Sequence, residues 1–143
     1  MVSPNAPTVH SLVSTKPGRK YQASCHCQLV RYTVTLSPGL DDLDSWVVEC
    51  NCSICSRNGY LNVYVQNECI EFEGMGLESE LVEKYRFGKQ RVQHYFCSRC
   101  GCSLMAESIE PGFYDGVKAL NVRMFEGIDF NTLQRREVDG RAL

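Results

Sequence analysis

The sequence predicts a mainly β fold, built of antiparallel sheets with little helix and held together at clusters of cysteines. Three observations point there. The segments after residue 20 are short, rich in Val, Tyr, Phe and Thr, and separated by turn residues. No long stretch carries a helical period or a heptad, and no internal repeat is visible. Finally, seven of the nine cysteines fall into three tight groups, Cys25 with Cys27, Cys50 with Cys52 and Cys55, and Cys97 with Cys100.

The elements can be justified in chain order. Residues 1–18 contain Pro4, Pro7 and Pro17 in a polar setting and are expected to form a flexible or loosely docked arm, leaving 19–143 as one domain. "YQASC" and "LVRYTVTL" predict an opening strand pair with a cysteine knuckle between them, ended by "SPGLDD". "SWVVEC" leads into "CNCSIC", after which a short helix is expected, and "YLNVYVQ" leads away from it. "CIEFEG" is a strand stopped at Gly74. "LVEKYRF" and "RVQHYFC" flank Gly88-Lys89 as a hairpin. "SLMAES" and "VKALNVRMF" follow as strands on either side of the turn-rich "EPGFYDG".

Composition narrows the function classes. A net charge of −2 argues against a nucleic-acid partner or a membrane-surface role. No apolar run approaches the roughly 20 residues needed to cross a bilayer. The N-terminus lacks the apolar core of a secretory signal, so a cytoplasmic location is expected. In a reducing cytosol nine cysteines are unlikely to be a disulfide framework, and the odd count fits one poorly. Metal ligation explains the clustering.

Cys25 and Cys27, two apart at a strand end, are expected on one face. Cys97 and Cys100 have the C-x-x-C spacing of a zinc knuckle, with Gly101 available for a positive φ. Together the two pairs supply four thiolates, the ligand set of a closed structural zinc site. A redox-active C-x-x-C is the competing reading, but the βαβ context of such motifs is absent.

Cys50, Cys52 and Cys55 can hold a second metal without help from a distant segment. Three protein ligands and one exchangeable position are the mark of catalytic zinc. Three thiolates outweigh the charge of a divalent ion, which weakens it as a Lewis acid and suits it to activating another thiol rather than to hydrolysis. Cys69, Cys102, His26 and His94 are the candidates for a fourth ligand that would close this site. A cationic strip, Lys84, Arg86, Lys89 and Arg91, could hold the carboxylates of a small anionic substrate, or could be a solvated face paired with the six glutamates of 68–83.

"CHC" at 25–27, "CNCSIC" at 50–55 and "FCSRCG" at 96–101, with "ALNVRMF" and the terminal "DGRAL", resemble the glutathione-dependent formaldehyde-activating enzymes and their relatives, a group that includes centromere protein V. The resemblance implies a zinc-stapled β-tent fold with two zinc ions per chain. Cys25, Cys27, Cys97 and Cys100 would hold the structural ion, and Cys50, Cys52 and Cys55 the catalytic one. It further implies a carbon–sulfur lyase-type activity on a small-molecule thiol and carbonyl substrate, with glutathione the expected thiol. Two departures stand out: Gln28 occupies a position that is commonly Gly, and Cys102 follows the knuckle glycine. The basic extension of a chromatin-associated relative is missing. The alternatives are a non-catalytic zinc-stapled binding module and a thiol redox sensor.

Overall fold

A computed structural model describes residues 8–142. Two sheets form the molecule. The smaller has the order β2 (Arg19–Ser24), β3 (Arg31–Leu36), β6 (Ile70–Phe72), all antiparallel. The larger runs β11 (Arg135–Val138), β4 (Val47–Cys50), β5 (Asn62–Gln66), β10 (Val117–Asn121), β9 (Ser103–Ser108), β8 (Val92–Cys97), β7 (Val82–Tyr85). A two-residue strand, β1 (Val9–His10), pairs with β5 in parallel. The single α-helix among the described residues, α1 (Ser53–Asn58), follows β4. The expected mainly β, antiparallel architecture with little helix is what the chain adopts. The parallel pairs are β1 with β5 and β11 with β4.

The pattern of each strand explains its placement. In β3, Tyr32, Val34 and Leu36 are buried while Arg31, Thr33 and Thr35 alternate with them. That period of two turns one face of the sheet inward and leaves the other to solvent. The inward face packs with Leu61, Leu104, Met105 and Leu120 from the larger sheet in one core. Each such side chain contributes about 1.5–3 kcal/mol by leaving water. β2 also meets the segment after β10 at a bridge between Ala23 and Phe125, where the Tyr21 and Phe125 rings stack with centroids 5.6 Å apart.

The expected arm at 1–18 divides in two. Residues 1–7 lie outside the described residues. Beyond them, His10 is buried, its Nδ1 accepts from the Ser37 N–H at 3.1 Å, and its carbonyl accepts from the Cys69 thiol. This part of the segment is therefore docked onto the sheet, because β5 offers it a backbone edge and the imidazole finds a buried partner.

No helix among the described residues is long and apolar enough to cross a membrane.

Candidate metal centres

The first thiol group is assembled across the two sheets. Cys25 and Cys27 come from the turn between β2 and β3, while Cys97 ends β8 and Cys100 lies in the turn that follows it. All four sulfurs lie within 4.8 Å of one another. The Cys25–Cys27 pair stands at 3.7 Å and the Cys27–Cys97 pair at 3.6 Å. Four sulfurs each 2.3 Å from a central zinc would stand about 3.8 Å apart, so the spacing fits the ion. The burial of Cys25 pushes its thiol up to about 12. On Cys100 burial is outweighed by backbone N–H groups and neighbouring thiols, which bring it down to about 6, so the group mixes a raised thiol with a readily ionised one.

The local backbone corrects one sequence expectation. Cys25 and Cys27 do not owe their convergence to strand period. β2 ends at Ser24, and a turn closed by Gln28 N–H to the Cys25 carbonyl brings the sulfurs together. Gln28 sits at φ 65°, a left-handed conformation that favours glycine. The other knuckle keeps its glycine: Gly101 has φ 77° and donates to the Cys97 carbonyl.

Cys50, Cys52 and Cys55 form the second group, again with sulfurs within 4.8 Å of one another. Cys50 ends β4. Cys52 is the N-cap of α1, and its sulfur accepts from the Cys55 N–H at 3.5 Å, while the Cys52 N–H donates to the Cys50 sulfur at 3.4 Å. Gly59 ends the helix in the left-handed conformation. Burial and two neighbouring thiols raise the Cys55 thiol. Burial acts the same way on Cys52, but hydrogen bonds to its sulfur from backbone N–H groups and from the Cys55 and Cys50 thiols prevail and lower it. Three thiols with this mix of donors suit a thiophilic divalent metal.

None of the four candidate fourth ligands joins this trio. Cys69 is buried beside His10. Cys102 accepts from the His26 N–H at 3.4 Å, beside the first group, and His26 itself is exposed. His94 packs with Tyr60, whose hydroxyl is 3.2 Å from its Nδ1. Burial holds the His94 imidazole below its ordinary pKa.

The C-terminal strand supplies what sequence reasoning missed. β11 runs beside β4 and delivers Gly140 against the trio, where a Cβ would overlap the Cys50 sulfur and reach 3.0 Å from the Cys52 Cβ. Asn51 anchors this closure: its amide donates to Asp139 at 2.9 Å, its side-chain oxygen accepts from the Arg141 N–H at 3.1 Å, and its carbonyl accepts from the Arg141 side chain at 2.9 Å. The only signal in the sequence was the terminal "DGRAL".

Two clefts flank α1. One, of about 620 Å³, contains Cys50 and Cys55 in its wall together with Glu49, Arg123, Arg135 and Asp139. The other, of about 570 Å³, lies between α1 and the β7–β8 hairpin and is walled by Tyr60, Tyr85, Phe87 and His94. Tyr60 lines both. The expected cationic strip lines neither: Lys84, Arg86, Lys89 and Arg91 are all exposed, Arg86 donates to Gln93, and Arg91 pairs with Glu110 rather than with the glutamate run.

Fold and thiol geometry together define a mainly antiparallel β protein with two separate cysteine groups fit for metal. The chain belongs to the glutathione-dependent formaldehyde-activating enzyme family, whose sequence profile matches residues 20–126. The match contains all seven clustered cysteines and stops before β11. A crystal structure of a Rhodobacter sphaeroides protein shares the fold, with a TM-score of 0.63 and 21% identity over 82% of this chain and 99% of that one.

Proposed function

We propose that this chain is a two-zinc carbon–sulfur lyase-type enzyme acting on thiol adducts of formaldehyde or another small carbonyl, with glutathione the thiol. The observation that carries this reading is a trio of thiols, two of them (Cys50 and Cys55) in the wall of a cleft, with no fourth ligand beside the trio among the described residues. Cys25, Cys27, Cys97 and Cys100 hold the structural zinc and join the sheets, and Cys50, Cys52 and Cys55 hold the catalytic one. Bound there, zinc supplies a position at which a substrate thiol is favoured as its thiolate.

The chain's own residues do the rest. The N–H groups of Cys52 and Cys55 donate to ligand sulfurs and moderate their charge. Asn51 and Gly140 hold the loop in one geometry. The cleft at Cys50 and Cys55 carries both acidic and basic side chains, which matches a zwitterionic peptide thiol. In the addition, a sulfur–carbon bond forms as the carbonyl π bond opens, and the proton leaving sulfur ends on the carbonyl oxygen. The lyase direction reverses each change.

The test is Cys52→Ser protein with its zinc content measured. Thiol-dependent exchange between free and adduct carbonyl, followed by NMR, is expected to fall by roughly two orders of magnitude or more. Wild-type rates in protein that has lost the second zinc would rule the reading out.

A further inference from the structure

We propose that the aromatic cleft between α1 and the β7–β8 hairpin is the subsite for the carbonyl partner, and that the carbonyl it selects carries a planar aromatic group. This inference rests on the lyase reading above and names the substrate class for it.

Size is the first argument. A one-carbon aldehyde needs no enclosure, whereas a cleft of about 570 Å³ falls within the roughly 300–1,000 Å³ of sites that enclose larger organic ligands. The walls give the second. Tyr60 and His94 stack at 11° with centroids 5.9 Å apart, Phe87 and His94 at 28° and 5.9 Å, and Tyr85 and Phe87 at 22° and 5.7 Å. These near-parallel rings run from a buried end, at Tyr60 and His94, to an exposed one, where Phe87 and Tyr85 are 40% and 50% exposed. A flat ring entering beside them continues the stack and covers apolar faces that are otherwise left to water.

Charge separates this cleft from its neighbour. Its lining contains one cation, Arg57, and no carboxylate. A peptide thiol with an ammonium finds no partner here but does in the cleft at Cys50 and Cys55, where acids and bases alternate. The aromatic cleft accepts a neutral ring or one bearing a single negative charge.

Position completes the case. Ser53 and Ile54, which line the cleft, lie in the chain between Cys52 and Cys55, and the Tyr60 N–H donates to the Cys55 carbonyl at 3.1 Å. The aromatic cleft thus adjoins the backbone of the loop that carries the thiols, and Tyr60 joins it to the cleft in which Cys50 and Cys55 stand.

The test has two parts, both on zinc-loaded full-length protein. In the first, 4-carboxybenzaldehyde is titrated without any thiol and its ring protons are followed by NMR. Saturable binding that weakens at least ten-fold in Phe87→Ala and recovers in Phe87→Tyr is expected. No saturable binding, or equal binding to Phe87→Ala, overturns the proposal whatever the enzyme's activity. In the second, kcat/KM with glutathione is compared for 4-carboxybenzaldehyde and formaldehyde. The expected ratio favours the aromatic aldehyde at least ten-fold in wild type and drops at least ten-fold in Phe87→Ala. A ratio at or below one, or one that does not change, also overturns it. Turnover of neither aldehyde, with binding intact, counts against the lyase reading and leaves the cleft's aromatic preference supported.

Discussion

Gly140 packs directly on Cys50, although ninety residues of chain separate them, and leaves no room for a side chain at that position. The parallel pairing of β11 with β4 makes this contact, so the far end of the chain shapes the loop that carries the thiol trio. Gly140→Ala must displace either the tail or the Cys50 sulfur. We expect at least a ten-fold loss of thiol-dependent exchange and a fall in zinc from about two ions per chain toward one, since neighbours that orient ligands typically contribute 10–100-fold. Full zinc content with full exchange would show that the tail has no such role.

The two cysteine groups should respond differently to the same substitution. Cys97→Ser removes a buried sulfur from the group joining the sheets, and under the two-zinc reading metal binding there is coupled to folding. Soluble yield and melting temperature should collapse. Cys52→Ser alters the exposed connection between β4 and β5 and leaves the sheet-joining group intact, so its circular dichroism spectrum and melting transition should stay close to wild type while exchange is lost. Similar melting curves for the two variants would contradict this division of labour.

Tyr32 is buried in the core, and its hydroxyl has no hydrogen-bond partner among the described residues. An unpaired buried hydroxyl costs about 1–3 kcal/mol. Tyr32→Phe removes it without changing the packing, and should raise stability by about 1 kcal/mol in urea unfolding. A destabilised variant would reveal a partner for that oxygen.

His10 should make stability depend on pH. Burial lowers its pKa in the folded chain, and its Nδ1 accepts a hydrogen bond that requires the unprotonated ring nitrogen. The contribution of a group lowered on folding is complete above its unfolded value, near 6.5, and is lost as pH falls from there toward the folded value. Wild type should lose up to about 1.4 kcal/mol per pH unit on acidification through that window. Comparison with His10→Gln isolates this component from the thiols, because the variant lacks it. Parallel pH curves for the two proteins would disprove the assignment.

The β architecture was legible because strand alternation and turn residues are local signals, as β3 illustrates with its buried Tyr32, Val34 and Leu36. The membership of both cysteine groups was legible for a related reason: short spacings limit where sulfurs can point. The backbone that joins Cys25 to Cys27 was less so, since the same spacing serves a strand or a turn, and only Gln28 at positive φ distinguishes them. Gly140 was not legible as a neighbour of Cys50, because a contact across parallel strands leaves no mark in local composition. The hairpin was half legible. Tyr85 and Phe87 do share a face, but the informative face proved to be theirs and not that of Lys84 and Arg86.

The two groups also differ in how far the chain must travel to make them. Cys50, Cys52 and Cys55 span six positions, while Cys27 meets Cys97 across 70. Closing the longer loop costs about 2 kcal/mol more in chain entropy, and it cannot occur until some hundred residues have left the ribosome. The three thiols of the trio are chain neighbours from the moment they are made, whereas the sheet-joining group can assemble only as the domain completes itself.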